Sequence, residues 1–261
     1  VGDAQFSNFQ LRAKSIKHEI YDAIQFQDRW YFGLDSVGLV SSDDLRKFST
    51  YYWREPDWVS NLSKHPIRRF EAVGNDLFGI AGGKLAFGVV YQTPDSAESW
   101  NPQEYENELR ALAVFGTELQ WTAWVGGNGI LLKKTNEEQT WKRIDFEKTF
   151  ISDMLFQNES QGIFVTYKGD IHSSQDGGEH WILVEKSKKF RAVNRMIQSG
   201  DWMVIAANGG AFAYSKDAGK QWYWEQLDET LDLSDAFISG TNLVFTAEKG
   251  MLLKIDLNDL K

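Results

Sequence analysis

The apolar positions of this chain fall in short runs separated by turn-forming residues, the pattern of strands and hairpins. The clearest stretch predicts a strand over 190–196 and a turn beginning at Asp201, then a second strand over 202–207. Asn208-Gly209-Gly210 follows as a hairpin turn, because Asn and Gly tolerate positive φ. A third strand over 211–214 and a fourth over 221–226 complete the set. The same four-strand scan fits the segments around 125–129 and 167–169.

Between the third and fourth strands stands a repeated polar phrase. Ser174-Gln175-Asp176-Gly177-Gly178-Glu179-His180-Trp181 reads as Ser-x-Asp-x-Gly-x-x-Trp, and Ser215, Asp217, Gly219 and Trp222 repeat it 41 residues later. In such a turn the Ser and Asp side chains bond nearby backbone N–H groups, Gly supplies the permissive backbone, and Trp fills the space between sheets. Thr93-x-Asp95-x-Ala97-x-x-Trp100 keeps the polar pair and the Trp. Lys134-x-Asn136-x-Glu138-x-x-Trp141 is degenerate, and Ser41-x-Asp43-x-Leu45-x-x-Phe48 is a first copy with Phe for Trp. The tryptophans at 100, 141, 181 and 222 are therefore 41, 40 and 41 residues apart, and Gly88, Gly129, Gly169 and Gly210 each stand 12 residues before one of them. Two landmark sets in register at this period predict an all-β, six-bladed β-propeller of four-stranded antiparallel blades.

The last unit, 231–257, supplies three strands with a Lys249-Gly250 turn and no fourth. A strand over 6–13, with Phe9 at a box position, is expected to complete it, closing residues 1–261 as a single domain without an open edge. The step from Phe48 to Trp100 is longer than the others, which places an insertion at 54–66. Within it, Pro56, Trp58 and Leu62 suit a short helix opening.

Composition narrows the function classes. The chain has 261 residues, 42% of them hydrophobic and 25% charged, as in ordinary soluble domains, with 11 Trp, 9 Tyr and 17 Phe for sheet packing. A formal charge of −9 argues against a nucleic-acid partner. The absence of Cys excludes disulfides, thiolate metal sites and a cysteine nucleophile, and fits an exported bacterial protein, so a periplasmic or secreted location is expected ahead of a cytoplasmic one. No apolar run reaches the length of a membrane span, and with the chain starting at Val1 any signal peptide is expected to have been removed or never to have existed.

The boxes resemble the Asp-box (BNR) repeat of sialidases and sortilin-type receptors. With phrases such as Trp124-Val125-Gly126-Gly127-Asn128-Gly129-Ile130-Leu131, the tandem array looks most like the photosystem II stability and assembly factor-type propellers and their bacterial relatives. That resemblance implies a propeller akin to YVTN and WD40 types, with the box residues (Ser174, Asp176, Gly178, Trp181, Ser215, Asp217, Gly219, Trp222, Thr93, Asp95 and Trp100) structural rather than catalytic.

Binding chemistry is expected where the inner strands begin, at the channel mouth. Arg69, Arg110 and Arg191 each stand 31 residues before their unit's Trp. Guanidiniums at equivalent points present forked donors to a carboxylate, phosphate or sulfate; the alternative is that each pairs with an acid such as Glu108 or Asp232 and ties blades together. Trp58, in the insertion, is expected on the same face, either contacting a partner or packing on blade two.

Catalytic readings find less support. Sialidases of the Asp-box class use three arginines, a Tyr nucleophile with its Glu, and an Asp. Here their Arg-Ile-Pro signature is missing, because His65-Pro66-Ile67-Arg68-Arg69 is not that motif. His18, His65, His172 and His180 lack metal spacing, no Gly-x-Ser-x-Gly elbow occurs, and Gly79–Gly83 before Lys84 suits a hairpin better than a phosphate loop. The expected function is a monomeric, non-catalytic scaffold or assembly factor, without cofactor or metal, docking a protein or anionic partner. The alternative is a carbohydrate-active propeller, either a glycoside hydrolase or a lectin.

Overall fold

The structure is a computed structural model that describes residues 20–34, 38–50, 67–83, 85–93, 100–187, 190, 192–228 and 230–260. The expected closing strand at 6–13, the insertion at 54–66 with Trp58, and residues Asp95 and Arg191 lie outside them.

Among the described residues, twenty-three strands form six small antiparallel sheets in chain order, the blades of a six-bladed β-propeller. Blade one is β1 (Ile20–Phe26), β2 (Arg29–Leu34), β3 (Gly38–Ser42) and β4 (Ser49–Thr50). Blade two is β5 (Ile67–Val73), β6 (Asp76–Gly83), β7 (Phe87–Thr93) and β8 (Asn101–Tyr105). Blade three is β9 (Leu109–Gly116), β10 (Trp121–Gly127), β11 (Leu131–Thr135) and β12 (Lys142–Arg143). Blade four is β13 (Ile151–Phe156), β14 (Gly162–Thr166), β15 (Ile171–Ser174) and β16 (Ile182–Glu185). Blade five is β17 (Val193–Ser199), β18 (Trp202–Ala207), β19 (Ala211–Ser215) and β20 (Tyr223–Gln226). Blade six, among the described residues, has β21 (Leu233–Ser239), β22 (Asn242–Ala247) and β23 (Met251–Asp256). No helix among the described residues is long and apolar enough to cross a membrane.

The chain divides into two compact units, Val1–Asn128 with Lys134–Thr140, and Gly129–Lys133 with Trp141–Lys261. In the first unit the core lies between blades one and two: Phe26, Tyr31 and Leu39 meet Ile67, Phe70, Val89, Tyr91 and Trp100. Trp100 sits edge-on to Tyr31 of blade one and Tyr91 of its own blade. In the second unit Ile163, Val165 and Ile171 of blade four pack with Val193, Met203, Ile205 and Trp222 of blade five. Val204, Phe212 and Tyr214 pack in turn with Leu233, Leu243 and Phe245 of blade six. Each fully buried aromatic or branched side chain contributes roughly 1.5–3 kcal/mol, so consecutive sheets are held mainly by apolar faces.

The two full boxes have the same geometry. Ser174 Oγ donates to Asp176 Oδ1 at 2.9 Å and accepts the Gly178 N–H at 2.9 Å; Asp176 Oδ1 accepts the His180 N–H at 2.9 Å; Trp181 Nε1 donates to Gly178 O at 3.0 Å. Ser215, Asp217, Gly219, Gln221 and Trp222 repeat these bonds at 2.8, 2.8, 2.9 and 3.0 Å.

The degenerate copies depart from the expected register. In blade one the turn is built by Ser42, whose Oγ accepts the Leu45 N–H at 2.9 Å, and by Asp44, which accepts the Arg46 and Lys47 N–H groups. The pair Ser41 and Asp43 is displaced by one residue, and Asp43 instead pairs with Arg29 at 2.6 Å. In blade three Thr135 and Glu138 close the turn, while Asn136 bonds back to the Trp121 N–H and Leu119 O. Gly129, Gly169 and Gly210 occupy hairpin turns at φ 68°, 91° and 76°. Gly88 differs. It lies within β7, where a Cβ would fall 2.5 Å from Asn107 O, and Leu85 takes the positive φ of that hairpin.

Candidate binding face

Every inner strand carries a β-bulge one residue after its start. In blade two Ile67 opposes Ala81 and Arg69 opposes Ile80, so Arg68 is the extra residue. In blade three Leu109 opposes Gly127 and Ala111 opposes Gly126, so Arg110 is the extra residue. The same bulge presents Tyr21 in blade one, Ser152 in blade four, Asn194 in blade five and Ser234 in blade six. A bulge re-aims the side chain it inserts, and here it sets one residue per blade at the end from which the inner strand departs.

This geometry revises which arginines are equivalent. Arg68, not Arg69, corresponds to Arg110. Arg69 is the next residue along and is only 7% exposed. Asn194 occupies the corresponding place in blade five, three residues beyond Arg191, which lies outside the described residues. The constant 31-residue count does not track this register: Arg68, Arg110 and Asn194 stand 32, 31 and 28 residues before Trp100, Trp141 and Trp222.

In the first unit the bulge residues gather charge. The Arg68 guanidinium lies 5.2 Å from the centroid of the Tyr21 ring, a cation–π arrangement, and its Nε donates to Gly82 O at 3.2 Å. Arg68 and Arg110 hold the same bulge position in blades two and three, and burial first, then the positive charge of Arg110, holds the Arg68 pKa down. Arg110 Nε donates to Glu108 Oε1 at 2.6 Å, and Glu108 Oε2 accepts the Leu85 N–H at 2.8 Å. Glu108 is 2% exposed, so a buried carboxylate with both oxygens engaged anchors Arg110, whose side chain stays about one-third exposed. Glu108 thus holds Arg110, and Tyr21, beside Arg68, adds a half-exposed ring and hydroxyl. Such a cluster suits a carboxylate, phosphate or sulfate presented by a partner. The bulge residues of the second unit are neutral: Asn194 donates to Asn208 Oδ1 and Leu233 O, and Ser234 bonds Thr246.

In blades one and four the residue after the bulge is an aspartate that bonds to the neighbouring sheet. Asp22 Oδ2 accepts the Phe70 N–H of blade two at 2.7 Å, and Asp153 Oδ2 accepts the Met196 N–H of blade five at 2.7 Å. Their Oδ1 atoms accept their own following N–H groups, from Ala23 and Met154, at 3.0 Å. Arg195 Nε lies 3.2 Å from Asp235 Oδ1. These carboxylates were not anticipated, although Ile20-Tyr21-Asp22-Ala23, Ile151-Ser152-Asp153-Met154 and Leu233-Ser234-Asp235-Ala236 share an apolar-x-Asp-apolar signal. Blade ties of the kind expected for Arg69, Arg110 and Arg191 are thus made in part by aspartates.

Among the described residues no group of His, Cys, Asp and Glu could hold a metal ion. His172 is buried and stacked on Phe164 with ring centroids 4.6 Å apart; burial first, against the opposing effect of nearby Glu147 and Asp170, holds its pKa down. His180 Nδ1 lies 2.6 Å from Asp176 Oδ2 at the surface.

No protein-family model and no curated protein matches the chain. Solved structures do. YCF48 from Cyanidioschyzon merolae is similar at 14% identity and a TM-score of 0.66, over 93% of this chain and 84% of that one. The Neurospora crassa Pan2 WD40 domain is similar at 13% identity and a TM-score of 0.67, over 97% and 79%. A structure of YCF48 bound to D1 peptide is similar at 15% identity and a TM-score of 0.54, over 70% of this chain, which spans 62% of that one. Identities this low show the propeller fold alone.

Proposed function

We propose that this propeller is a binding module rather than a catalyst, docking an anionic group on a protein partner at the end of the blades where Arg68 and Arg110 lie. The observation that carries this reading is the placement of Arg68 and Arg110 at the same bulge position of blades two and three, with Arg110 held by the buried carboxylate of Glu108. Two guanidiniums at the same end of adjacent blades favour an incoming anion, which can accept charge-assisted hydrogen bonds from both. The forked geometry of each guanidinium favours a carboxylate or phosphate over a simple halide. Tyr21 and Leu85, 42% and 57% exposed, provide apolar contact beside the charges. Among the similar structures is a propeller of the same fold in complex with a peptide, YCF48 with D1 peptide, which supports a peptide-binding role here. Arg191 and Trp58, which lie outside the described residues, are carried in the same proposal as partner contacts, while Arg69, 7% exposed, is assigned to support of the blade. A rigid sheet scaffold presents these groups with little ordering on binding.

Affinity capture from a native extract, with Arg68→Ala/Arg110→Ala as the control bait, tests the reading. Loss of specific partners by the variant at an unchanged melting temperature supports it. Equal capture by both baits, or turnover of an aryl sialoside or other aryl glycoside by the wild-type chain, would contradict it.

A further inference from the structure

A cavity of about 340 Å³ in the second unit is lined by Gly129, Arg143, Ile144, Asp145, Phe146 and Lys148. We infer that it is a binding site for a carboxylate carried on an apolar, preferably aromatic, body. Its walls are pinned by the backbone: the Gly129 N–H donates to Thr149 O at 3.0 Å and the Ile144 N–H to Leu131 O at 2.9 Å. Ile144 is buried, and Phe146 meets Phe164 edge-on at 6.4 Å. Phe164 in turn is fully buried against Trp181, so the apolar wall is rooted in the core of blade four. A wall held this way is preformed, which is how small-molecule sites are usually built, and the volume lies at the small end of their range of roughly 300–1,000 Å³.

The rim supplies the charge. Arg143, Lys148 and Asp145 are exposed, leaving one net positive charge over an apolar floor. Arg143 spends one donor on Gly129 O at 3.4 Å, a long bond that leaves the other donors of its fork available. A monoanion is thus matched in charge, while its apolar body is matched by Ile144 and Phe146. Gly129 stands at the cavity's edge. Its φ is 68° and a Cβ there would meet nothing within 4 Å, so a longer side chain would project into free space at the cavity's edge.

The site shares no residue with the Arg68–Arg110 face and stands or falls separately. The test is an amide NMR titration of the full chain with phenylacetate and with the neutral phenylacetamide. Saturable shifts centred on Gly129 and residues 144–148 are expected, with the amide at least tenfold weaker. Arg143→Ala/Lys148→Ala should weaken phenylacetate at least tenfold, and Gly129→Asn, which tolerates the left-handed backbone, should abolish binding without unfolding the chain. Equal affinity for acid and amide, shifts centred elsewhere, or no saturation would overturn the inference.

Discussion

Asp153 joins two blades through a single carboxylate: Oδ2 accepts the Met196 N–H of β17 at 2.7 Å while Oδ1 accepts the Met154 N–H of its own strand at 3.0 Å. The residue is 2% exposed, so neither N–H would find water if the carboxylate were removed. Asp153→Ala is expected to cost about 2–4 kcal/mol, because each orphaned buried donor carries its own desolvation penalty. A lowered urea midpoint at unchanged slope is the readout. Asp22→Ala, which frees the Phe70 and Ala23 N–H groups, should act in the same direction by a smaller amount, since part of its site is exposed.

The box turns are structural in this account, and their glycines are as constrained as their polar residues. Gly219 has φ 87°, and a Cβ there would lie 2.6 Å from Ile163 Cδ1 and 3.0 Å from Met203 Sδ. Gly219→Ala combines left-handed strain with overpacking and should destabilise by about 2–4 kcal/mol. Ser215→Ala, which removes the acceptor for the Gly219 N–H and the donor to Asp217, should cost about 1–2 kcal/mol. Thermal melts of the two variants measure both.

Acidification should weaken the fold in two stages. Burial holds the pKa of His172 below its ordinary value, so the folded state resists a proton that the unfolded chain accepts; stability begins to fall below about pH 6.5. Asp176 is held well below the usual carboxylate range, first by the His180 N–H and then by the His180 side chain. Asp217 is lowered first by the Gln221 N–H and then by Ser215. Their depressed values add stability above the unfolded pKa of about 3.9, which is lost as pH drops through and below it. The melting-temperature gap between wild type and Asp176→Asn/Asp217→Asn should therefore narrow below about pH 4, whereas His172→Phe should flatten the curve as pH falls below about 6.5.

The outer strands are unequally guarded. β12 carries Lys142 and Arg143, and β8 carries Pro102 and Glu104, but β16 exposes Ile182, Leu183 and Val184 at 62%, 49% and 43%. An apolar edge strand is a template for adventitious pairing. Leu183→Lys should raise the concentration at which light scattering first increases, with no loss in melting temperature.

The period of the fold was legible because Ser174 and Ser215 keep the whole turn and Trp100 and Trp222 fill inter-sheet space that no smaller side chain fills. It blurred where other residues make the turn: Ser42 and Asp44 replace Ser41 and Asp43, and Thr135 with Glu138 replaces the serine–aspartate pair. The site was legible in kind but not in position. Arg110 falls where counting placed it, yet counting cannot register a bulge, and one residue decides whether Arg68 or Arg69 faces outward. The inter-blade aspartates stand two residues after an Ile or Leu in three blades, but in sequence such a carboxylate is indistinguishable from a solvated one until the bulge turns it toward a neighbouring N–H.

That one-residue distinction is also the sharpest test of the account. Arg68→Ala and Arg69→Ala should be compared for partner capture and melting temperature side by side. Arg68→Ala is expected to lose the partner and keep its melting temperature, while Arg69→Ala, removing a buried side chain, lowers the melting temperature. Capture that survives Arg68→Ala, or a melting temperature that falls with Arg68 and not with Arg69, would contradict it.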